Sequence, residues 1–182
     1  MQDDASGKLG KGYVHVYTGT SKGKTTAALG LAFRAMGHGL RTYMGQFMKD
    51  APSGELEAAR RVQPYIVLEQ YGRSSPIGER RPGDAADIAL ARDGLAKLKR
   101  AMLSGDYNII VCDEIITAEH FGILELGDVL NLISSKPDGV ELVLTGRNAS
   151  PVVTAAADLV TEMKEVKHYY SRGVPARRGI EV

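Results

Sequence analysis

The 182-residue chain has no tryptophan, a single cysteine and almost no excess of charge of either sign. Cys112 alone cannot form an intrachain disulfide, and no cluster of cysteine and histidine has the spacing of a metal site. The formal net charge of +1 gives no overall field that would attract nucleic acid or an anionic membrane. No apolar run is long enough to cross a bilayer, and nothing resembles a signal peptide. These absences predict a cytoplasmic protein with no nucleic-acid or membrane partner.

The length and composition predict one folded domain. Hydrophobic residues make up 43% of the chain and charged residues 25%, which is typical of a globular protein. A chain of 182 residues can build a single core of ordinary size. The first eleven residues, MQDDASGKLGK, are polar and are predicted to form a flexible tail. Residues 12–182 are then the domain.

Short runs of strand-forming residues alternate with longer helical stretches. The strands are predicted at 13–18, 40–47, 65–71, 107–114, 140–146 and 159–163. The helices are predicted at 24–36, 54–62, 84–103, 126–135 and near 150–157, and a long loop at 71–84. This alternation predicts βαβ units, and therefore a three-layer α/β fold with a mainly parallel sheet and helices on both faces.

The stretch TGTSKGKTT, residues 18–26, joins the first predicted strand to the first predicted helix. It resembles a phosphate-binding loop that is one residue shorter than usual. Free N–H groups and the positive end of the helix dipole attract an anion there. Lys24 would place its charge on the phosphates and the Thr25 hydroxyl would bind Mg²⁺, whereas a glycine-rich turn with exposed lysines is the less favoured alternative. The predicted nucleotide-binding residues of the loop are Gly19, Thr20, Ser21, Lys22, Gly23, Lys24, Thr25 and Thr26.

The run YNIIVCDE, residues 107–114, reads as a central parallel strand that ends in two carboxylates. Its end should lie beside the phosphate loop, where Asp113 or Glu114 can hold Mg²⁺ directly or through water. A pair of carboxylates that caps the next helix is the alternative. Cys112 is predicted to be a core thiol rather than a nucleophile. Arg147 follows the next strand, and either a phosphate contact or a surface position is open to it.

Further motifs follow the loop in order. They are Gly30, Gly37-His38-Gly39, Gln46-Phe47-Met48-Lys49, Asp113-Glu114-Ile115, Leu144-Thr145-Gly146-Arg147, Val166-Lys167-His168 and Gly179-Ile180-Glu181. Together with the loop they resemble the P-loop family of ATP:corrinoid adenosyltransferases, which act on cob(I)alamin and cob(I)yrinic acid a,c-diamide. The resemblance spans about residues 12 to 181, nearly the whole chain.

The resemblance implies a RecA-like P-loop fold, usually homodimeric. It implies transfer of the 5′-deoxyadenosyl group of ATP to the reduced cobalt of a corrinoid, with release of triphosphate. ATP would lie in the loop in reversed phosphate order, which the shortened loop fits. The implied catalytic residues are Lys24, Thr25 and Glu114, with Arg147 as a further ATP contact. Mg²⁺ (or Mn²⁺) would be held by Thr25 and Glu114, with Asp113 as a second candidate, and a flavoprotein is the candidate reductant.

The chain also departs from the family pattern at two places. Some members displace the lower base of the corrinoid with aromatic residues in the loop that matches residues 71–84. The candidates for that role here are Tyr71 and Phe121. Relatives commonly have a glycine at the position of Ser21, so the resemblance predicts backbone strain there.

Two other functions fit the same sequence. A small P-loop kinase or ATPase would release ADP and would need a positioned base, for which Glu114 is available. A nucleotide-gated corrinoid carrier would bind the cofactor without turnover. The products formed from ATP and reduced corrinoid distinguish the three hypotheses.

Overall fold

The structure is a computed structural model and describes residues 9–73 and 84–181. Within these residues six parallel strands form one sheet in the order β3-β2-β4-β5-β1-β6. The strands are β1 (Val14–Thr18), β2 (Thr42–Phe47), β3 (Ile66–Tyr71), β4 (Ile109–Asp113), β5 (Glu141–Thr145) and β6 (Leu159–Glu162). Because the strands are parallel, all of them end at the same edge of the sheet, where ligands of open α/β sheets bind.

Helices cover both faces of this sheet. They are α1 (Lys24–Met36), α2 (Gly54–Arg61), α3 (Ala85–Leu103), α4 (Ile115–His120), α5 (Leu126–Ser134) and α6 (Pro151–Ala155). A short 3₁₀-helix, Tyr169–Arg172, lies in the C-terminal segment. None of the helices in the described residues is long and apolar enough to cross a membrane.

Alternate residues of the strands enter two separate apolar clusters. In β4, Ile110 and Cys112 belong to the cluster that includes Leu98 of α3, whereas Ile109 and Val111 belong to the cluster that includes the alanines of α1. A central strand whose two faces are both buried has this continuous apolar pattern. The three-layer parallel α/β fold predicted from the sequence is therefore confirmed.

The predicted elements agree with the observed ones except at the α4 helix and the 3₁₀-helix, which were not predicted. Four of the six residues of α4 are buried and only Glu119 and His120 at its end reach solvent, so the helix has no amphipathic pattern and its start continues the apolar character of β4. Most of the predicted loop at 71–84 lies outside the described residues, as do residues 1–8. The flexible tail and the single domain over 12–182 stay predictions.

Tyr71 belongs to β3 rather than to the loop that follows it. Its side chain is 5% exposed, its ring packs on Phe47, and its hydroxyl lies 2.8 Å from that of Tyr43. Burial raises the pKa of the Tyr71 phenol, and the hydrogen bond with Tyr43 adds to the shift. The proposal of Tyr71 as an aromatic contact for the corrinoid is therefore wrong, because the ring is part of the core.

The absence of a side chain at Gly94 lets α3 pack directly on Tyr71. A Cβ atom at Gly94 would overlap the Tyr71 ring, whereas one at Gly30 of α1 would meet nothing within 4 Å. We expect Gly94→Ala to lower the free energy of unfolding by about 1–3 kcal/mol through overpacking. Gly30→Ala is the matched control and should raise it by about 0.5–1 kcal/mol, because alanine favours the helix interior. Urea unfolding measures both, and a stabilised Gly94→Ala variant would contradict this packing.

Candidate functional site

The loop between β1 and α1 turns sharply at two glycines. Gly19 has φ 100° and Gly23 has φ 129°, a region that favours glycine. Helix α1 begins at Lys24 with no side-chain cap on its first N–H groups, which leaves them available to an anion. Ser21 is not among the non-glycine residues with positive φ in the described part of the chain. The strain predicted at Ser21 is absent because the two glycines make the left-handed turns.

Lys24 lies inside this loop and is 6% exposed. Its ammonium group donates hydrogen bonds of 2.8 Å to the carbonyls of Gly19 and Ser21, which leaves one of its three donors for another acceptor. Burial lowers the pKa of Lys24 from its ordinary value; the carboxylates of Glu114 and Asp113 oppose the shift. The loop thus holds a buried positive charge at the start of a helix, which is an arrangement suited to phosphate.

Asp113 ends β4 and is completely buried. One carboxylate oxygen accepts hydrogen bonds from the hydroxyls of Thr25, at 2.8 Å, and Thr145, at 2.7 Å. The other accepts from the Gln46 amide at 3.1 Å and from the Lys49 ammonium at 2.9 Å. The structure therefore brings the predicted Thr25 and Asp113 together. It adds Gln46, Lys49 and Thr145, to which the sequence reasoning had assigned no role.

Glu114 turns the chain away from β4 into α4 with φ 62°. Its N–H donates to the Thr145 hydroxyl at 2.9 Å, and its carboxylate accepts from the hydroxyl of Thr117. The same Thr117 oxygen accepts a hydrogen bond of 2.9 Å from the N–H of Arg147. Thr117 thus links the turns after β4 and β5. It was missed because α4 itself was not predicted.

A cavity of about 850 Å³ lies above the loop. Every predicted binding or metal residue lines it except Gly19 and Asp113, which lie behind the wall. Arg147 is exposed and is also among the lining residues, which is compatible with both the surface position and the phosphate contact, so its contact with phosphate stays a prediction. Cys112 is fully buried and burial raises the pKa of its thiol, which supports its prediction as a core residue.

The C-terminal segment forms the opposite wall of the cavity. Its lining residues are Glu165, His168, Tyr170, Ser171, Gly179, Ile180 and Glu181. Lys22 of the loop donates a hydrogen bond of 3.0 Å to the carbonyl of Ile180, and its ammonium group lies 4.0 Å from the Glu181 carboxylate. Hydrogen bonds from Arg177 and then Tyr169 lower the pKa of Glu181 to about 2. The C-terminal segment has no helical or strand-like hydrophobic periodicity. Only its family motifs at 166–168 and 179–181 could therefore have indicated from the sequence that it lines the cavity.

The oxygen donors beside the loop fit a magnesium ion. Thr25 and Glu114 line the cavity and Asp113 lies behind Thr25. No group of three or more histidine, cysteine or acidic side chains able to hold a metal occurs among the described residues. Mg²⁺ does not need one, because it keeps several waters and binds through one or two side chains plus substrate phosphates. The site therefore fits a metal that arrives with a nucleotide.

A parallel sheet, a glycine-rich loop between β1 and α1, and an acidic end of β4 define a P-loop nucleotide-binding protein of RecA-like fold. A KaiC-like protein of the archaeon Pyrococcus horikoshii shares this fold, with a TM-score of 0.59 at 15% identity over 87% of this chain and 76% of that one. The family model of ATP:corrinoid adenosyltransferases, BtuR/CobO/CobP, matches residues 10–182. The chain belongs to this family, as its motifs predict.

Relatives named as corrinoid adenosyltransferases match nearly the whole chain. A corrinoid adenosyltransferase of Pseudomonas aeruginosa is 35% identical, over 94% of this chain and 84% of the relative. A corrinoid adenosyltransferase of Escherichia coli is 31% identical, over 94% and 86%. The corrinoid adenosyltransferase CobA of Salmonella typhimurium is 33% identical over the same shares.

The contact between Lys22 and the C-terminal wall predicts that Glu181 weakens the binding of polyphosphate. Glu181→Gln keeps the size of the side chain and removes one negative charge from the cavity. We expect the affinity for ATP and for triphosphate to rise roughly two- to fivefold, the effect of one partly exposed charge. Isothermal titration calorimetry measures the affinity for each ligand. Glu57→Gln on α2 is the control, because Glu57 lies outside the cavity lining. Equal or weaker binding by Glu181→Gln would show that the charge of Glu181 does not oppose the phosphates.

Proposed function

We propose that this protein transfers the 5′-deoxyadenosyl group of ATP to the reduced cobalt of a corrinoid and releases triphosphate. One observation carries the proposal. The family match over residues 10–182 contains, within a single chain, the phosphate loop, Glu114 after β4 and the C-terminal segment, all of which line one cavity. The corrinoid is cob(I)alamin or cob(I)yrinic acid a,c-diamide.

The chemistry needs no nucleophile from the protein. The Co(I) centre of the substrate supplies an electron pair to the ribose 5′-carbon, and a cobalt–carbon bond forms as the cobalt becomes formally Co(III). The bond from that carbon to the triphosphate oxygen breaks, and its electron pair stays on the triphosphate. The protein's work is to hold the reacting atoms in line and to stabilise the leaving group. The burial of Cys112 agrees with a mechanism that uses no thiol.

The loop supplies the positive charge that a triphosphate leaving group requires. Lys24 has one free donor above the loop, and Lys22 and Arg147 line the cavity around it. Charged donors fixed in advance in a partly buried site stabilise developing charge without reorganisation. We assign Lys24 to the phosphates, with Lys22 and Arg147 as further contacts.

Thr25 and Glu114 would hold Mg²⁺, with Asp113 behind Thr25, and Mn²⁺ can replace it because both ions prefer oxygen donors. When bound with ATP, the ion neutralises part of the triphosphate charge. Thr117 holds the Glu114 carboxylate through a hydrogen bond, so that carboxylate is fixed at the cavity wall. This geometry supports Glu114 as a ligand better than Asp113, both of whose oxygens are already occupied.

Three parts of the proposal concern the protein's surroundings. We propose a cytoplasmic location, a flavoprotein as the electron donor for cobalt, and a homodimer. The exposure of every residue of β6, the edge strand next to the C-terminal segment, supports a partner subunit on that side. Phe121 is 49% exposed but does not line the cavity, whereas Tyr170 does. Tyr170 is therefore the aromatic residue that the described structure offers to the second substrate.

An anaerobic reaction of the protein with Mg·ATP and chemically reduced cobalamin tests the function. We expect a light-sensitive alkylcobalamin spectrum and one triphosphate per corrinoid. ADP and phosphate with unaltered corrinoid would indicate a kinase or ATPase. Tight binding of the adenosylated cofactor without turnover of either reduced corrinoid would indicate a carrier.

Replacement of Lys24 tests the phosphate loop. We expect Lys24→Ala to lower turnover at least about 100-fold, the usual effect of removing a group that stabilises transition-state charge. Lys99→Ala on α3, outside the cavity lining, is the matched control and should leave the rate unchanged. Comparable rates in both variants would mean that the loop does not bind the leaving group.

Replacement of Glu114 tests the metal assignment. Glu114→Gln keeps the shape and the contact with Thr117 but removes the charge, so we expect the Mg²⁺ concentration that half-saturates ATP binding to rise about tenfold. Fluorescence titration with a labelled ATP measures the change in the absence of corrinoid. An unaltered metal requirement would transfer the role to Asp113.

A further inference from the structure

Lys49 follows Met48, whose φ of 60° is costly for a side chain of this size. The N–H of Met48 donates to the carbonyl of Tyr71 at 3.1 Å. A Cβ atom at Gly72 would lie only 2.6 Å from the Lys49 nitrogen, so the backbone after β3 packs directly on this turn. Strained backbone held by its surroundings in this way is concentrated at functional sites.

The turn delivers the Lys49 ammonium group to the buried carboxylate of Asp113. The two groups are 2.9 Å apart, with the carboxylate fully buried and the lysine side chain 34% exposed. Glu55 of α2 lies 3.9 Å from the same ammonium group. A buried carboxylate is stable only when it is paired and fully hydrogen-bonded. Lys49 is the cation that makes this pair.

The orientation of the Asp113 carboxylate is set from both sides. Gln46 donates to the same oxygen as Lys49, and the Gln70 amide donates to the Gln46 carbonyl at 3.1 Å, which fixes the direction of the Gln46 amide. The opposite oxygen accepts from Thr25. Because the Thr25 hydroxyl donates its proton to Asp113, the lone pairs of that hydroxyl are directed away from Asp113.

We propose that Lys49 is a positioning residue of the metal site: it holds Asp113 so that the Thr25 oxygen presents its lone pairs to the metal that accompanies ATP. Lys49 borders the cavity, but its ammonium group is paired with Asp113, and it acts through that carboxylate rather than by touching the phosphates. The inference rests on the metal site of the proposed function. It adds a residue from the β2 turn to a site otherwise formed by the phosphate loop and the end of β4.

The experiment is a double-mutant cycle on ATP binding without corrinoid. Lys49→Met removes the charge with little loss of volume, and Lys49→Arg keeps it. The Mg²⁺ concentration that half-saturates binding of labelled ATP is measured for each, together with ATP affinity in the presence of EDTA. We expect Lys49→Met to raise that concentration at least about tenfold, as for other residues that orient a metal ligand. Lys49→Arg should recover most of the loss, and affinity in EDTA should change less than about twofold.

The same substitution in an Asp113→Asn background completes the cycle. If Lys49 acts through Asp113, then adding Lys49→Met to the Asp113→Asn variant should change the half-saturating Mg²⁺ concentration by less than about twofold. This double variant also leaves no unpaired buried charge, so it keeps the test valid if Lys49→Met alone fails to fold. Lys99→Met is the control for the loss of a lysine.

Four results would overturn the inference. A full effect of Lys49→Met in the Asp113→Asn background would mean a direct role, and an equal loss of affinity in EDTA would mean a phosphate contact. A lower Mg²⁺ requirement would mean that Lys49 competes with the metal for Asp113. An unchanged requirement, with a wild-type protein that needs Mg²⁺, would remove the role of Lys49 and leave the adenosyl transfer intact. The corrinoid product of the anaerobic reaction tests that transfer separately.

Discussion

The buried carboxylate of Asp113 is the constraint on which the arrangement of the site depends. A charge with no exposure to water must find its hydrogen bonds within the protein. Its donors come from the start of α1, the end of β2, the turn after β2 and the end of β5. These donors come from three regions that are distant in sequence, α1, β2 with its following turn, and β5, and the regions meet only when the strands lie in the observed order. One polar group thus ties the phosphate loop to the centre of the sheet.

Positive φ angles at the ends of four strands also keep side chains at this edge of the sheet. The chain leaves β1 at Gly19, β2 at Met48, β4 at Glu114 and β5 at Gly146, and all four residues have positive φ. Such a turn redirects the chain within one residue, so the next side chains stay close to the edge of the sheet. At Met48 and Glu114 this conformation costs free energy, which the hydrogen bonds of Lys49 and Thr117 help to offset. Lys49, Asp113, Glu114 and Thr117 are therefore held at this edge by contacts within the protein.

Most of the fold could be predicted because it depends on local pattern. The apolar run of β4 and the glycine and lysine spacing of the loop are each readable within about ten residues. The network around Asp113 could not be predicted, because a lysine 64 residues away becomes its partner only through the pairing of β2 with β4. The C-terminal wall escaped prediction for the same reason. Nothing near Ile180 indicates that its carbonyl accepts a hydrogen bond from Lys22.

The shortened phosphate loop packs directly against the residue that follows β6. Met163 follows β6, and its carbonyl accepts the N–H of Ser21, while Gly19 approaches the same carbonyl closely enough to exclude a side chain. The Ser21 N–H is therefore engaged within the protein, which leaves the loop fewer backbone donors for phosphate. Lys22, Lys24 and Arg147 line the cavity and can supply positive charge where the loop lacks that N–H. Under the proposed function, this distribution of positive charge suits a reaction in which the triphosphate leaves as one unit.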